Sequence, residues 1–75
     1  SEVKVFPTST QNRLHLSGLG NGGTIQIISM EGKSLITQEC TQDKATLNIE
    51  QLPNGYYLCA ITLSNITKTI PIIKY

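Results

Sequence analysis

The sequence predicts an all-β fold, an immunoglobulin-like antiparallel β-sandwich of about seven short strands. Three observations carry this expectation. Apolar and polar residues alternate with a period of two from end to end, and no segment sustains a helical period. Turn-forming residues interrupt the alternation at short, regular intervals. The chain has 75 residues, which is room for one core, so residues 1–75 are expected to form a single domain.

The strands are expected in the following order. Val3 and Val5 share a face before Pro7 ends the run, and Pro7 to Asn12 reads as a polar loop. Leu14 and Leu16 alternate with Arg13, His15 and Ser17, which puts His15 on the solvated side. A glycine-rich loop, Gly18 to Gly23, leads into a strand whose inward residues are Ile25 and Ile27. Glu31-Gly32 suits a two-residue hairpin into a fourth run centred on Leu35 and Ile36, where both faces look apolar. After the polar Thr41 to Lys44 stretch, Ala45, Leu47 and Ile49 alternate with Thr46, Asn48 and Glu50. Pro53 presets φ for a β-turn continuing through Asn54 and Gly55, a position where a Cβ is expected to crowd the chain. Tyr57, Cys59, Ile61 and Leu63 then form one face, with the Tyr57 ring inward and its hydroxyl partnered near the strand end. Ser64-Asn65 makes a tight hairpin into the last strand, which holds Ile70, Ile72 and Ile73. Pro71 lacks an N–H for a ladder, so this strand is expected at a sheet edge with the proline nitrogen facing outward.

Composition excludes several classes of function. Six Lys/Arg against five Asp/Glu leave a net charge of +1, scattered along the chain, and aromatic residues are few. Nucleic-acid binding has no electrostatic support in the sequence. No apolar run approaches the roughly 20 residues needed to span a bilayer as a helix. Gly18-Leu19-Gly20-Asn21-Gly22-Gly23 matches the dinucleotide pattern G-x-G-x-x-G, but the residues that follow read as a strand where that pattern needs a helix N-terminus. His15 is the only histidine, and with two cysteines it offers neither metal-ligand spacing nor a nucleophile–base set. No cofactor, catalytic residue or metal ligand is expected, and no small-molecule substrate. Cys40 and Cys59 allow one internal pairing, yet the apolar setting of Cys59 favours a free, packed thiol. Asn65-Ile66-Thr67 is a formal glycosylation sequon, read here as incidental.

Three stretches carry a family resemblance. Val5-Phe6-Pro7-Thr8-Ser9 stands where the C-terminal sorting domains of type IX secretion cargo in Bacteroidetes open with Val-Tyr-Pro-Asn-Pro. Ile25 to Lys33 resembles their middle segment, apolar alternation running into Gly32-Lys33. Leu52-Pro53-Asn54-Gly55-Tyr56-Tyr57, followed by Lys68 to Lys74, resembles their closing Leu-Pro-x-Gly-x-Tyr and lysine-bracketed last strand. The chain departs from that pattern at Thr8, Ser9, Pro71 and Tyr75.

The resemblance implies a secretion signal without catalytic activity, closing a larger exported protein of which these residues are a fragment. It implies recognition by the type IX outer-membrane translocon or shuttle and by a sortase-like protease, with anionic lipopolysaccharide as a further partner. It also implies passage through the periplasm to the outer membrane, the cell surface or the medium. Lys68, Ile70, Pro71, Ile72, Ile73, Lys74 and Tyr75 are the candidate recognition residues, because an edge strand offers unpaired backbone groups to a partner. Phe6, Pro7, Gly32, Leu52, Pro53, Gly55 and Tyr57 are expected to act through the fold. The alternative is a generic immunoglobulin-like binding or spacer module of a bacterial surface protein.

Overall fold

The computed structural model describes residues 3–64 and 66–75. Among the described residues the chain forms eight strands: β1 (Lys4–Phe6), β2 (Ser9–Thr10), β3 (Arg13–Ser17), β4 (Gly23–Ser29), β5 (Ser34–Cys40), β6 (Ala45–Asn48), β7 (Gly55–Thr62) and β8 (Thr67–Lys74). They divide into a three-stranded sheet, ordered β1-β3-β6, and a five-stranded sheet, ordered β2-β8-β7-β4-β5. The two inner faces meet in one core, as an immunoglobulin-like sandwich requires.

The period-two pattern decides which side chains meet there. Val3, Val5, Leu14, Leu16, Leu47 and Ile49 come from the smaller sheet and its margins, and Ile25, Ile27, Tyr57, Cys59, Ile61 and Ile72 from the larger. Leu14, Ile27, Ile49 and Cys59 are wholly sealed from solvent. Burial of each large aliphatic side chain contributes about 1.5–3 kcal/mol, so this alternation supplies most of the folding drive.

Three local details differ from the sequence expectation. The polar loop after Pro7 contains β2, which pairs parallel with β8 through Ser9 opposite Ile73 and Thr10 opposite Lys74. Its two exposed or half-exposed polar residues leave no hydrophobic trace, because backbone bonds to β8 hold them and Thr10 Oγ1 accepts from the Asn12 and Arg13 amides. The β4–β5 hairpin is a three-residue loop rather than a two-residue one. The Gly32 amide donates to the Ser29 carbonyl (2.9 Å) and the Ser29 amide to the Lys33 carbonyl (2.8 Å), with Gly32 at positive φ. A bulge follows, where the pairing moves from Ile27–Ile36 to Ile28–Ser34 and leaves Leu35 as the extra residue. That extra residue is why both faces of this run look apolar.

The glycine-rich loop is pinned to the Asp43 region by hydrogen bonds. Leu19 inserts into the core, its amide donates to the Asp43 carbonyl (3.0 Å), and the Gly20 amide donates to the Asp43 carboxylate (2.9 Å). Strand β4 follows directly, so no helix N-terminus is present to hold a pyrophosphate. Between β7 and β8 the Leu63 amide donates to the Ile66 carbonyl (2.8 Å). Asn65, and with it the sequon, lies outside the described residues.

Candidate functional site

The Leu52 to Tyr57 motif builds the support for the terminal strand. The Leu52 amide donates to the Ile49 carbonyl (3.1 Å), and the Leu52 side chain packs against the core. The chain then turns through Pro53 and Asn54 into β7. Tyr57 is buried, and its hydroxyl donates to the Pro53 carbonyl four residues upstream (2.5 Å). This is a tyrosine corner, in which a ring fills the core while its hydroxyl ties the strand start to the preceding turn. Gly55 corrects the sequence reading. A Cβ there would meet nothing within 4 Å, so crowding is not the reason for glycine. Its φ of +151° is the reason, a conformation other residues rarely adopt.

Strand β8 pairs antiparallel with β7 along its whole length, from Gly55 opposite Lys74 to Thr62 opposite Thr67. On its other side β2 reaches only Ile73 and Lys74. The Ile73 amide donates to the Thr8 carbonyl (2.8 Å) and the Tyr75 amide to the Thr10 carbonyl (3.2 Å). Strand alternation therefore turns the Pro71 nitrogen to that same outer side, beyond the reach of β2. The edge expectation is corrected in part: β2 is the outermost strand, and β8 is an edge only upstream of Ile73.

The candidate recognition residues split by face. Ile72 is fully buried, Ile70 is half-buried, and Lys68 donates from Nζ to the Val3 carbonyl (3.4 Å). Lys74 is 9% exposed, and its Nζ donates to the Asn54 side-chain oxygen (3.1 Å), which fastens the last strand to the Pro-Asn-Gly turn. Pro71, Ile73 and Tyr75 point outward and are exposed. Their side chains are thus the portion of the terminal segment open to contact. Neighbouring β7 places Tyr56 opposite Ile73 and Leu58 opposite Pro71, so the outward surface there is apolar. The opening motif lies apart from it: Phe6 is half-exposed on β1, and the Phe6–Pro7 peptide is cis where the chain leaves β1 for β2.

Neither thiol is bridged: Cys40 is half-buried and Cys59 fully buried. Burial pushes the Cys59 thiol from 9.0 up to about 11. The native state therefore holds this proton longer than the unfolded chain, and the contribution of Cys59 to stability, intact below pH 9.0, is lost as pH rises toward about 11. An alkylating reagent at mildly alkaline pH is expected to add one label to the native protein, at Cys40, and a second only on unfolding. Mass spectrometry of the labelled chain checks this, and prompt double labelling would show that Cys59 is accessible. Among the described residues no group of three or more His, Cys, Asp or Glu could hold a metal ion.

These observations define a small immunoglobulin-like sandwich whose terminal strand is fastened into the fold and presents an apolar outer face. The model of the secretion system C-terminal sorting domain matches residues 4–75, and the chain belongs to that family. Family membership makes it a type IX secretion sorting signal, an address for export to the cell surface or the medium. Comparison with curated proteins gives no match.

Proposed function

We propose that residues 1–75 are the sorting domain at the C-terminus of a larger exported protein, and that the terminal strand is what the export machinery reads. The domain itself is non-catalytic. It is presented in the periplasm to the type IX outer-membrane translocon or shuttle, and a sortase-like protease performs any cleavage with its own active residues. Family membership supports the pathway. The observation that carries the site is the division of β8: its inward side chains are committed to the core and to Asn54, while Pro71, Ile73 and Tyr75 remain outward.

The test fuses a periplasmic reporter to residues 1–75 in a host with a type IX system, beside an Ile73→Asp version and one with a polar tail after Tyr75. Secretion of the intact fusion and periplasmic retention of the other two is expected. Their melting temperatures should stay within a few degrees of the parent, since Ile73 is 39% exposed and Tyr75 55% exposed. Equal secretion of all three would remove the terminus as the signal. Retention of the intact fusion would replace this reading with that of a surface binding or spacer module.

A further inference from the structure

The five-stranded sheet ends at β5, and no strand among the described residues pairs with its outer side. The Ser29 amide donates to the Lys33 carbonyl, so Ser29 turns its backbone groups toward β5, and alternation makes Ile27, Ile25 and Gly23 do the same. Their partners Ile36, Gln38 and Cys40 spend their own N–H and C=O groups on β4. Thr37 and Glu39, both exposed, therefore turn theirs to the open side. The other edge strands are short, with three residues in β1, two in β2 and four in β6. β5 has no proline and one charge, Glu39, so the bulge at Leu35 is its single guard against a further strand.

That bulge leaves residues 36–40 as the regular run, with Gln38 at its midpoint. A second copy laid antiparallel about Gln38 sets Thr37 opposite Glu39 and Glu39 opposite Thr37, the reciprocal pairing a twofold contact requires. Every outward backbone group of the run then finds a partner. The Thr37 hydroxyl, 3.3 Å from that of Ser34, comes beside the carboxylate of the copy's Glu39. Ile36 meets Cys40 of the copy, and both are only half-buried here, whereas Ile25 and Ile27 on β4 are sealed. The exposed charges flanking the run fit the same register. Lys33 and Asp43 lie equally far from Gln38, so each Lys33 comes level with the other copy's Asp43. Glu31 likewise comes level with Ala45, next to Lys44.

We infer that β5 is a self-association edge, at which two copies of this domain join their five-stranded sheets antiparallel into one continuous sheet. The occupant is a second copy because the charge order Glu31-Lys33 is complementary to Asp43-Lys44 of the same chain about the same midpoint. β8 lies across β4 and β7 from this edge, so both terminal strands stay at the outer margins of the joined sheet, and the contact does not compete with their being read. So short a contact falls below the roughly 800 Å² per partner of a standard interface, and the pair forms and dissolves with concentration.

The test follows the molar mass of the 75-residue chain by sedimentation over a wide range of concentration. The mass should climb from monomer to dimer and stop there. Thr37→Glu sets carboxylate against carboxylate at both cross-strand pairs and should weaken association by about tenfold. Adding Glu39→Lys makes both pairs attractive and should restore the dimer, a rescue that misfolding cannot imitate. Thr69→Glu, exposed on β8 at the opposite margin of the sheet, should leave association unchanged. Dilute samples of all variants should melt within a few degrees of the parent, since each altered side chain is exposed. A chain that stays monomeric at every concentration overturns the inference and leaves the edge to a strand of another protein. Growth beyond the dimer, indifference to Thr37→Glu, equal loss with Thr69→Glu, or a folded double variant that fails to pair would each overturn it too.

Discussion

Tyr57→Ala is expected to leave the domain largely unfolded. The ring is 7% exposed in the core, and truncating such an aromatic costs about 3–5 kcal/mol. A 75-residue domain has a total stability of only about 4–11 kcal/mol. Two further losses fall on the same residue: the tie to the Pro53 carbonyl and the packing next to Ile72, its cross-strand neighbour on β8. Tyr57→Phe separates the contributions, since it keeps the ring and deletes the hydroxyl. That change should cost about 1 kcal/mol, a fall of about 4–8 °C in melting temperature. Circular dichroism melts of the three proteins decide the matter. An alanine variant melting within a few degrees of the parent would mean that the ring is not a core element.

Gly22→Ala is expected to destabilise the fold strongly for the addition of a single methyl group. Gly22 has φ of +102°, and an added Cβ would lie 2.6 Å from the Cys40 carbonyl carbon and 2.7 Å from Thr41 Cα. Both are backbone atoms, so no side chain can swing away, and the start of the β4–β5 ladder at Gly23 and Cys40 must shift. Backbone strain of about 1–2 kcal/mol and overpacking of about 1–3 kcal/mol give a combined loss of about 2–5 kcal/mol. Gly20 provides the control. Its φ is +63° and an added Cβ meets nothing within 4 Å, so Gly20→Ala carries only the conformational cost, about 1–2 kcal/mol. Urea midpoints of the two variants should differ clearly, and equal midpoints would show that the close approach to Cys40 relaxes at no cost.

The parts of this fold that are legible in the sequence are those where a face is buried. Leu14 with Leu16, Leu47 with Ile49, and Tyr57 with Cys59 and Ile61 sit where alternation places them, because a period of two reports directly which side meets the core. The tyrosine corner is legible for the same reason, with its hydroxyl needing a partner once the ring is inside. Backbone-held features leave no such trace. β2 rests on bonds to β8, and its Ser9 and Thr10 read as loop. Leu19 is buried inside a glycine-rich run because Asp43, twenty-four positions downstream, fixes the loop. Lys74 looks like a solvated terminal charge, yet the register of β8 points its stem inward and its head to Asn54. Lys4 and Lys44 are forty positions apart, and only the order β1-β3-β6 brings them to the same row.

The passage of the N-terminal segment from one sheet to the other has a mechanical meaning. β1 belongs to the small sheet and β2, three residues later, to the large one, where it runs parallel to β8. Parallel neighbours leave their shared ladder at opposite ends. Tension applied upstream of β2 and downstream of β8 therefore slides the two strands past each other along their length. The bonds from Ile73 to Thr8 and from Tyr75 to Thr10 then carry the load together instead of parting one at a time. Such a pull reaches this clasp only after β1, whose Val5 already sits in the hydrophobic interior.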